Sequence, residues 1–140
     1  MTINIHATAI AFKSKGILIV GNSGSGKSDL ALRLISNHQA RLIADDRVDI
    51  TTSSKKIFAS PPEILKGLLE VRGVGIINME HVASAEIKMV VELIDKKPER
   101  MPLPEFYKIN DIKLPLIKIN PFEISSPEKV LAALSLLCGF

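Results

Sequence analysis

The chain has 140 residues, 46% of them hydrophobic and 24% charged, which excludes an intrinsically disordered protein and suits one core built without disulfides or metals, so residues 1–140 are read as a single domain. Its net charge of +3 is scattered along the sequence, with one tyrosine and no tryptophan to interleave with it, so no nucleic-acid surface is expected. One cysteine, Cys138, excludes a disulfide framework, and no run has the roughly 18 apolar residues of a membrane span or the layout of an export leader, so no membrane contact and a cytoplasmic location are expected.

Residues 7–12 and 16–20 are short, β-branched runs and read as the first two strands. Residues 28–37 read as a helix, followed by strands over 41–44 and 48–52. A second helix is expected over 62–69, then strands over 74–78, 87–94 and 116–119. The last helix, 127–137, starts with Ser126 ahead of a first-turn proline, Pro127; Ser125 and Glu128 also have capping-box spacing. The stretch 95–104, rich in Lys, Glu and Pro, and the stretch 120–127 break this rhythm and read as surface loops. Strands outnumber helices, so the expected fold is α/β with a small mixed sheet and few covering helices. The strongly apolar last helix is expected to pack on the domain or to form a subunit interface.

Between the strand over 16–20 and the helix over 28–37 lies Gly21-Asn22-Ser23-Gly24-Ser25-Gly26-Lys27-Ser28. It meets the pattern G-x-x-x-x-G-K-[ST] at each fixed position and in the strand-to-helix context that pattern requires. The glycines let backbone N–H groups converge on phosphate oxygens, and the helix N-terminus adds its positive end. Lys27 is expected to reach the β and γ phosphates of ATP, and the Ser28 hydroxyl to bind Mg²⁺. The next strand runs into Asp45 and Asp46. Next to a phosphate loop, the first such acid typically lies near the metal and the second near the nucleophile's proton. Successive residues on a strand face opposite ways, so the two acids need not share a role.

Glu70 and Arg72 in Leu69-Glu70-Val71-Arg72-Gly73-Val74-Gly75 would share one face of an extended segment. Gly73 and Gly75 would let the backbone turn or approach a ligand closely. Glu70 can hold a cation and Arg72 can neutralise transferring phosphate charge, although spacing alone favours an ordinary surface ion pair. His6, placed on the strand before the phosphate-loop strand, would approach the nucleotide if the two strands pair; spacing alone gives it no catalytic preference.

Together, His6, the loop 21–28, Leu42-Ile43-Ala44-Asp45-Asp46 and Leu69-Glu70-Val71-Arg72-Gly73-Val74-Gly75-Ile76-Ile77-Asn78-Met79 resemble the catalytic domain of the HPr kinase/phosphorylase family, a P-loop kinase fold related to phosphoenolpyruvate carboxykinase. The resemblance runs from about residue 6 to the end and is strongest over 16–79. It implies an ATP- and Mg²⁺-dependent kinase acting on a serine of the phosphocarrier protein HPr, in regulation of the sugar phosphotransferase system. It also implies the reverse reaction, in which inorganic phosphate removes the phosphoryl group as pyrophosphate. By the same resemblance Lys27 is the loop lysine, Ser28 and Glu70 are the Mg²⁺ positions, the Asp45–Asp46 pair supplies the proton acceptor and His6 is the catalytic-site histidine; on physical grounds Arg72 is then expected to stabilise charge in the transition state. The strand-end argument favours Asp46 as the acceptor. Longer members carry an N-terminal domain, which this sequence is expected to lack as the family's short forms do, and they assemble as hexamers. They also have a functional arginine before the last helix, where this chain has Lys118-Ile119-Asn120-Pro121-Phe122; no arginine follows Arg100, so that contribution is missing or falls to Lys118. Two rivals stand beside this reading. A small-molecule P-loop kinase would carry an arginine-rich lid, but residues 95–126 hold only Arg100. A nucleotide-binding regulator without turnover would not need both acids, Lys27 and Glu70.

Overall fold

Three tight hairpins set the strand register. Lys13-Ser14, Ser54-Lys55 and Asn110-Asp111 each take left-handed backbone angles at both turn residues, with φ between +46° and +67°, as two-residue hairpin turns require. They join β2 (Thr8–Phe12) to β3 (Lys15–Val20), β5 (Val48–Ser53) to β6 (Lys56–Ser60), and β10 (Glu105–Ile109) to β11 (Ile112–Ile119). The computed structural model describes residues 2–139.

The sheet turns about β9 (Ala85–Leu93). One edge of β9 pairs in parallel with β3. The other edge pairs with β6 at Ala85 and Glu86, antiparallel, and with β11 from Val90 to Leu93, parallel. From this junction the sheet runs β1 (Thr2–Ile5)-β5-β6-β9-β3-β2-β4 (Arg41–Ala44), with β11 and β10 as a branch. Adjacent residues Gly16 and Ile17 pair with Ile87 and Met89, so Lys88 is an extra residue and the faces of β9 exchange there. Ile87 belongs to one core, Met89 and Val91 to the other.

Two layers of apolar side chains follow from this. On one face Ile17, Ile19, Met89 and Val91 pack against Leu30 and Leu34 of α1 (Lys27–His38) and Val130 and Leu134 of α2 (Ser126–Cys138). On the other, Leu18, Val90, Ile50, Ile57 and Leu114 meet beneath the curled arms of the sheet. The Cys138 thiol donates to the Lys88 carbonyl at 3.4 Å, docking the end of α2 on the bulge. No helix among the described residues is long and apolar enough to cross a membrane.

The mixed sheet with few covering helices agrees with the sequence reading, but several elements differ. The helix expected over 62–69 is a single 3₁₀ turn, Glu63–Leu65, followed by β7 (Leu68–Val71), which forms a separate hairpin with β8 (Gly75–Asn78). Gly67, at φ +73°, ends the turn, and Leu69 is the segment's one buried apolar side chain, so no helical stripe exists to hold a helix down. Val74 lies in the hairpin turn, not in a strand. β1, β6 and β10 had no counterpart in the sequence reading, and β11 begins four residues earlier than expected, at Ile112. Pro115 is tolerated inside it because pairing to β9 starts only at Leu116, leaving no partner for the missing N–H on that edge. At the start of α2 neither Ser125 nor Ser126 makes a side-chain cap. The Ser126 hydroxyl instead lies 2.6 Å from the carbonyls of both Asn120 and Glu123.

Candidate functional site

The loop over 21–26 leaves β3 and turns directly into α1 at Lys27, which is only 7% exposed. Its Nζ donates to the loop's own carbonyls, Gly21 at 2.9 Å and Asn22 at 3.1 Å. Burial lowers the Lys27 pKa, and the charges of Asp45 and Asp46 oppose that shift. Gly26 sits at φ +103°, and a Cβ there would lie 3.3 Å from the Pro121 ring. The loop therefore needs glycine for both its angle and its neighbour. Ser25 Oγ is buried with no hydrogen-bond partner, an orphan donor inside a loop whose shape suits an anion.

Asp45 lies just past the end of β4 and is 4% exposed. Its Oδ1 accepts from the hydroxyls of Thr8 at 2.8 Å and Ser28 at 2.7 Å. Its Oδ2 accepts from the backbone N–H of Glu70 at 3.1 Å. Asp46 takes a left-handed φ of +70°, which turns it away from its neighbour; it is exposed, with Oδ1 3.3 Å from His6 Nε2. The two acids thus have separate environments, as strand alternation suggested, although both stand beyond the strand.

His6 is not on a strand, as the sequence reading had it, but in the bend between β1 and β2. β2 and β3 do pair, antiparallel, and this brings the bend to the phosphate loop. Glu70 is on β7, whereas Arg72 lies in the β7–β8 turn rather than on the same extended segment. No ion pair joins them among the described residues. Gly73 and Gly75 have φ of +84° and +130°, with nothing within 4 Å of a Cβ at either, so they serve the turn and not a close approach. Lys118 pairs with Glu105 at 3.4 Å, across the β10–β11 hairpin, and is absent from the cavity wall.

A cavity of about 570 Å³ gathers these groups: Lys27, Ser28, Asp45, Asp46, Glu70 and Arg72 all line it, with His6. That is the volume of a small-molecule or nucleotide site. Among the described residues no group of three or more His, Cys, Asp or Glu side chains is arranged to hold a metal. Mg²⁺ does not require one, since it is commonly bound through one or two carboxylates with waters and substrate phosphates. The Ser28 hydroxyl spends its proton on Asp45, which leaves its lone pairs for a cation, and Glu70 is pinned beside the same carboxylate. Ser28, Asp45 and Glu70 therefore fit Mg²⁺.

Sequence reasoning missed Thr8. Its signal was a lone hydroxyl between Ala7 and Ala9 in an otherwise apolar strand, and it is fully buried. It also missed Pro121 and Phe122, which reach the cavity from the segment read as a plain loop.

A strand, a glycine-rich loop and a helix closing on a buried lysine, with an anchored carboxylate alongside, define an α/β domain whose loop has the shape that suits an anion. The chain belongs to the HPr Serine kinase C-terminal domain family, whose model matches residues 1–128. It is 40% identical over 131 residues to the HPr kinase/phosphorylase of Brevibacillus brevis, covering 84% of this chain and 42% of that protein. The HPr kinase/phosphorylase of Mycoplasmopsis pulmonis is 36% identical over 130 residues, with 84% and 42% covered. The chain thus spans about two fifths of the length of the curated relatives it matches. The solved Hpr(Ser) kinase/phosphatase from Coxiella burnetii superposes with a TM-score of 0.81 at 26% identity, covering 96% of this chain and 95% of that one.

Proposed function

We propose that this chain is an ATP-dependent serine kinase of the phosphocarrier protein HPr, acting in the cytoplasm, and that it also runs the phosphate-dependent reverse reaction. The supporting observation is the division between its two acids: Asp45 is buried under three donors, and Asp46 is exposed beside His6 at the same cavity. In this reading the loop N–H groups and Lys27 hold the ATP phosphates. Lys27 leaves the Gly21 and Asn22 carbonyls to do so. Ser28 and Glu70, oriented by Asp45, would hold Mg²⁺, which when bound neutralises phosphate charge.

Asp46 accepts the proton of the HPr serine hydroxyl as its oxygen bonds to the γ-phosphorus and the bond to ADP breaks. Arg72 faces the charge that develops on the transferring group. His6, paired with Asp46, orients the acceptor. In reverse, an oxygen of inorganic phosphate bonds to the phosphorus of phosphoserine as the bond from that phosphorus to the serine oxygen breaks; pyrophosphate leaves, and Asp46 passes the proton given up by the attacking phosphate to the serine oxygen. Most of the acceleration comes from positioning. Operation as a homo-oligomer, hexameric by resemblance, belongs to the same reading, with exposed Leu136 on α2 as apolar surface for a neighbouring copy.

The test is transfer of labelled γ-phosphate from ATP to purified HPr, followed by addition of inorganic phosphate. Label on an HPr serine, then its release as pyrophosphate, is expected. Lys27→Ala should abolish both steps. Asp46→Asn should keep ATP affinity within about twofold and slow transfer by on the order of a hundredfold or more. Near-normal transfer by Asp46→Asn would move the proton acceptor to Asp45. Tight ATP binding with no phosphoserine would make the chain a nucleotide-binding regulator.

A further inference from the structure

Arg33, in the second turn of α1, points its guanidinium at the turn that precedes α2. Nη2 donates to the Pro121 carbonyl, and Nη1 to the Glu123 carbonyl at 3.5 Å. Nε is buried and lies 3.3 Å from Asp29 Oδ2, one helical turn back. The turn itself is braced from within. The Phe122 N–H donates to Asn120 Oδ1 at 3.0 Å, Lys129 pairs with Glu123 at 2.7 Å, and the Ser126 hydroxyl bridges two of its carbonyls. Arg33 ties this braced turn to the helix that begins at the glycine-rich loop.

Two features make the tie matter for the cavity. Pro121 is packed against Gly26 of the loop. Phe122 lines the cavity yet is 75% exposed, so burial does not fix its place; the backbone on either side of it does, at the two carbonyls Arg33 holds.

We propose that Arg33 is a positioning residue: by clamping the Pro121 and Glu123 carbonyls it sets the wall of Pro121 and Phe122 over the phosphate loop, and so the affinity for a nucleoside triphosphate relative to a bare polyphosphate. This rests on the reading of the cavity as the ATP site. A purely architectural Arg33 would affect stability and leave that ratio unchanged.

The chain contains no tryptophan, so Phe122→Trp places a single indole on the wall itself. In that background Arg33, Arg33→Lys and Arg33→Met are compared by indole anisotropy without ligand, and by calorimetric Kd for ATP and for pyrophosphate. Arg33→Met should lower the anisotropy and weaken ATP about tenfold, with pyrophosphate within about twofold. Arg33→Lys, which keeps the charge but not the two-carbonyl fork, should fall between. If Arg33→Met does not fold, Arg33→Lys carries the comparison. Unchanged anisotropy and ATP affinity with only a lower melting temperature would overturn the proposal. So would equal losses for ATP and pyrophosphate, which would mean that Arg33 acts through charge alone. Failure of the Phe122→Trp parent and the unsubstituted chain to bind ATP would instead remove the kinase reading, and the anisotropy would still decide whether Arg33 holds the wall.

Discussion

Thr8 is one of the groups that sort the two adjacent acids, Asp45 and Asp46. The Thr8 hydroxyl is buried and has one described use, its bond to Asp45 Oδ1. Thr8→Val keeps the shape and removes the donor, leaving Ser28 as the remaining hydroxyl on that oxygen. Unfolding in urea should show a loss of about 1–3 kcal/mol, the cost of a buried hydrogen bond to a charged group, and Thr8→Ser should recover most of it. If Thr8→Val is as stable as the parent, Asp45 does not depend on it. The acids themselves were legible as polar residues ending an apolar strand. Which one would be buried was not, because that rests on the left-handed φ of Asp46 and on a donor 37 residues away.

Among the elements, β2, β3, β4, β5, α1 and α2 were readable because each carries its own apolar periodicity or sits beside a strong turn or loop signal. The turns that hide β6 and β10 are Ser54-Lys55 and Asn110-Asp111, without the glycine that marks most such hairpins. The segment over 62–69 read as a helix for another reason: Ile64, Leu65, Leu68 and Leu69 have helical spacing, and the deciding feature is Gly67. That residue has φ +73°, and a Cβ there would come within 2.8 Å of the Met79 carbonyl oxygen. Its own carbonyl accepts from the Met79 N–H at 2.8 Å, so it fastens both ends of the β7–β8 hairpin that carries Glu70. Gly67→Ala has to relieve the clash and the strained angle together and should cost about 1–3 kcal/mol in denaturant unfolding. Gly73→Ala, with open space around it, should cost less. Equal losses at the two glycines would mean that backbone angle alone matters there and the close approach does not.

At the scale of the molecule, the site is a product of topology. Antiparallel pairing of β2 with both β3 and β4 brings Thr8, the phosphate loop and Asp45 to one corner; the β7–β8 hairpin and the turn before α2 complete it from far along the chain. The motifs named the members of the site without giving their depth, and depth governs the chemistry of Lys27. Burial disfavours its cation, so its folded pKa lies below the unfolded value despite Asp45 and Asp46. Between those two values the unfolded chain holds a proton that the native protein has released. Native stability should therefore rise with pH across that window, the buried charge being costly below it. ATP affinity should move the opposite way, because the polyphosphate binds the cation and raises its pKa. Kd for ATP should be smallest below the lowered pKa and grow as pH passes through it, approaching roughly tenfold per pH unit. Lys27→Met should flatten both dependences. Titrations of ATP affinity and of urea stability over the same alkaline range check this. Parallel trends in the two curves, or an alkaline loss of ATP affinity that persists in Lys27→Met, would place the titrating group elsewhere in the cavity.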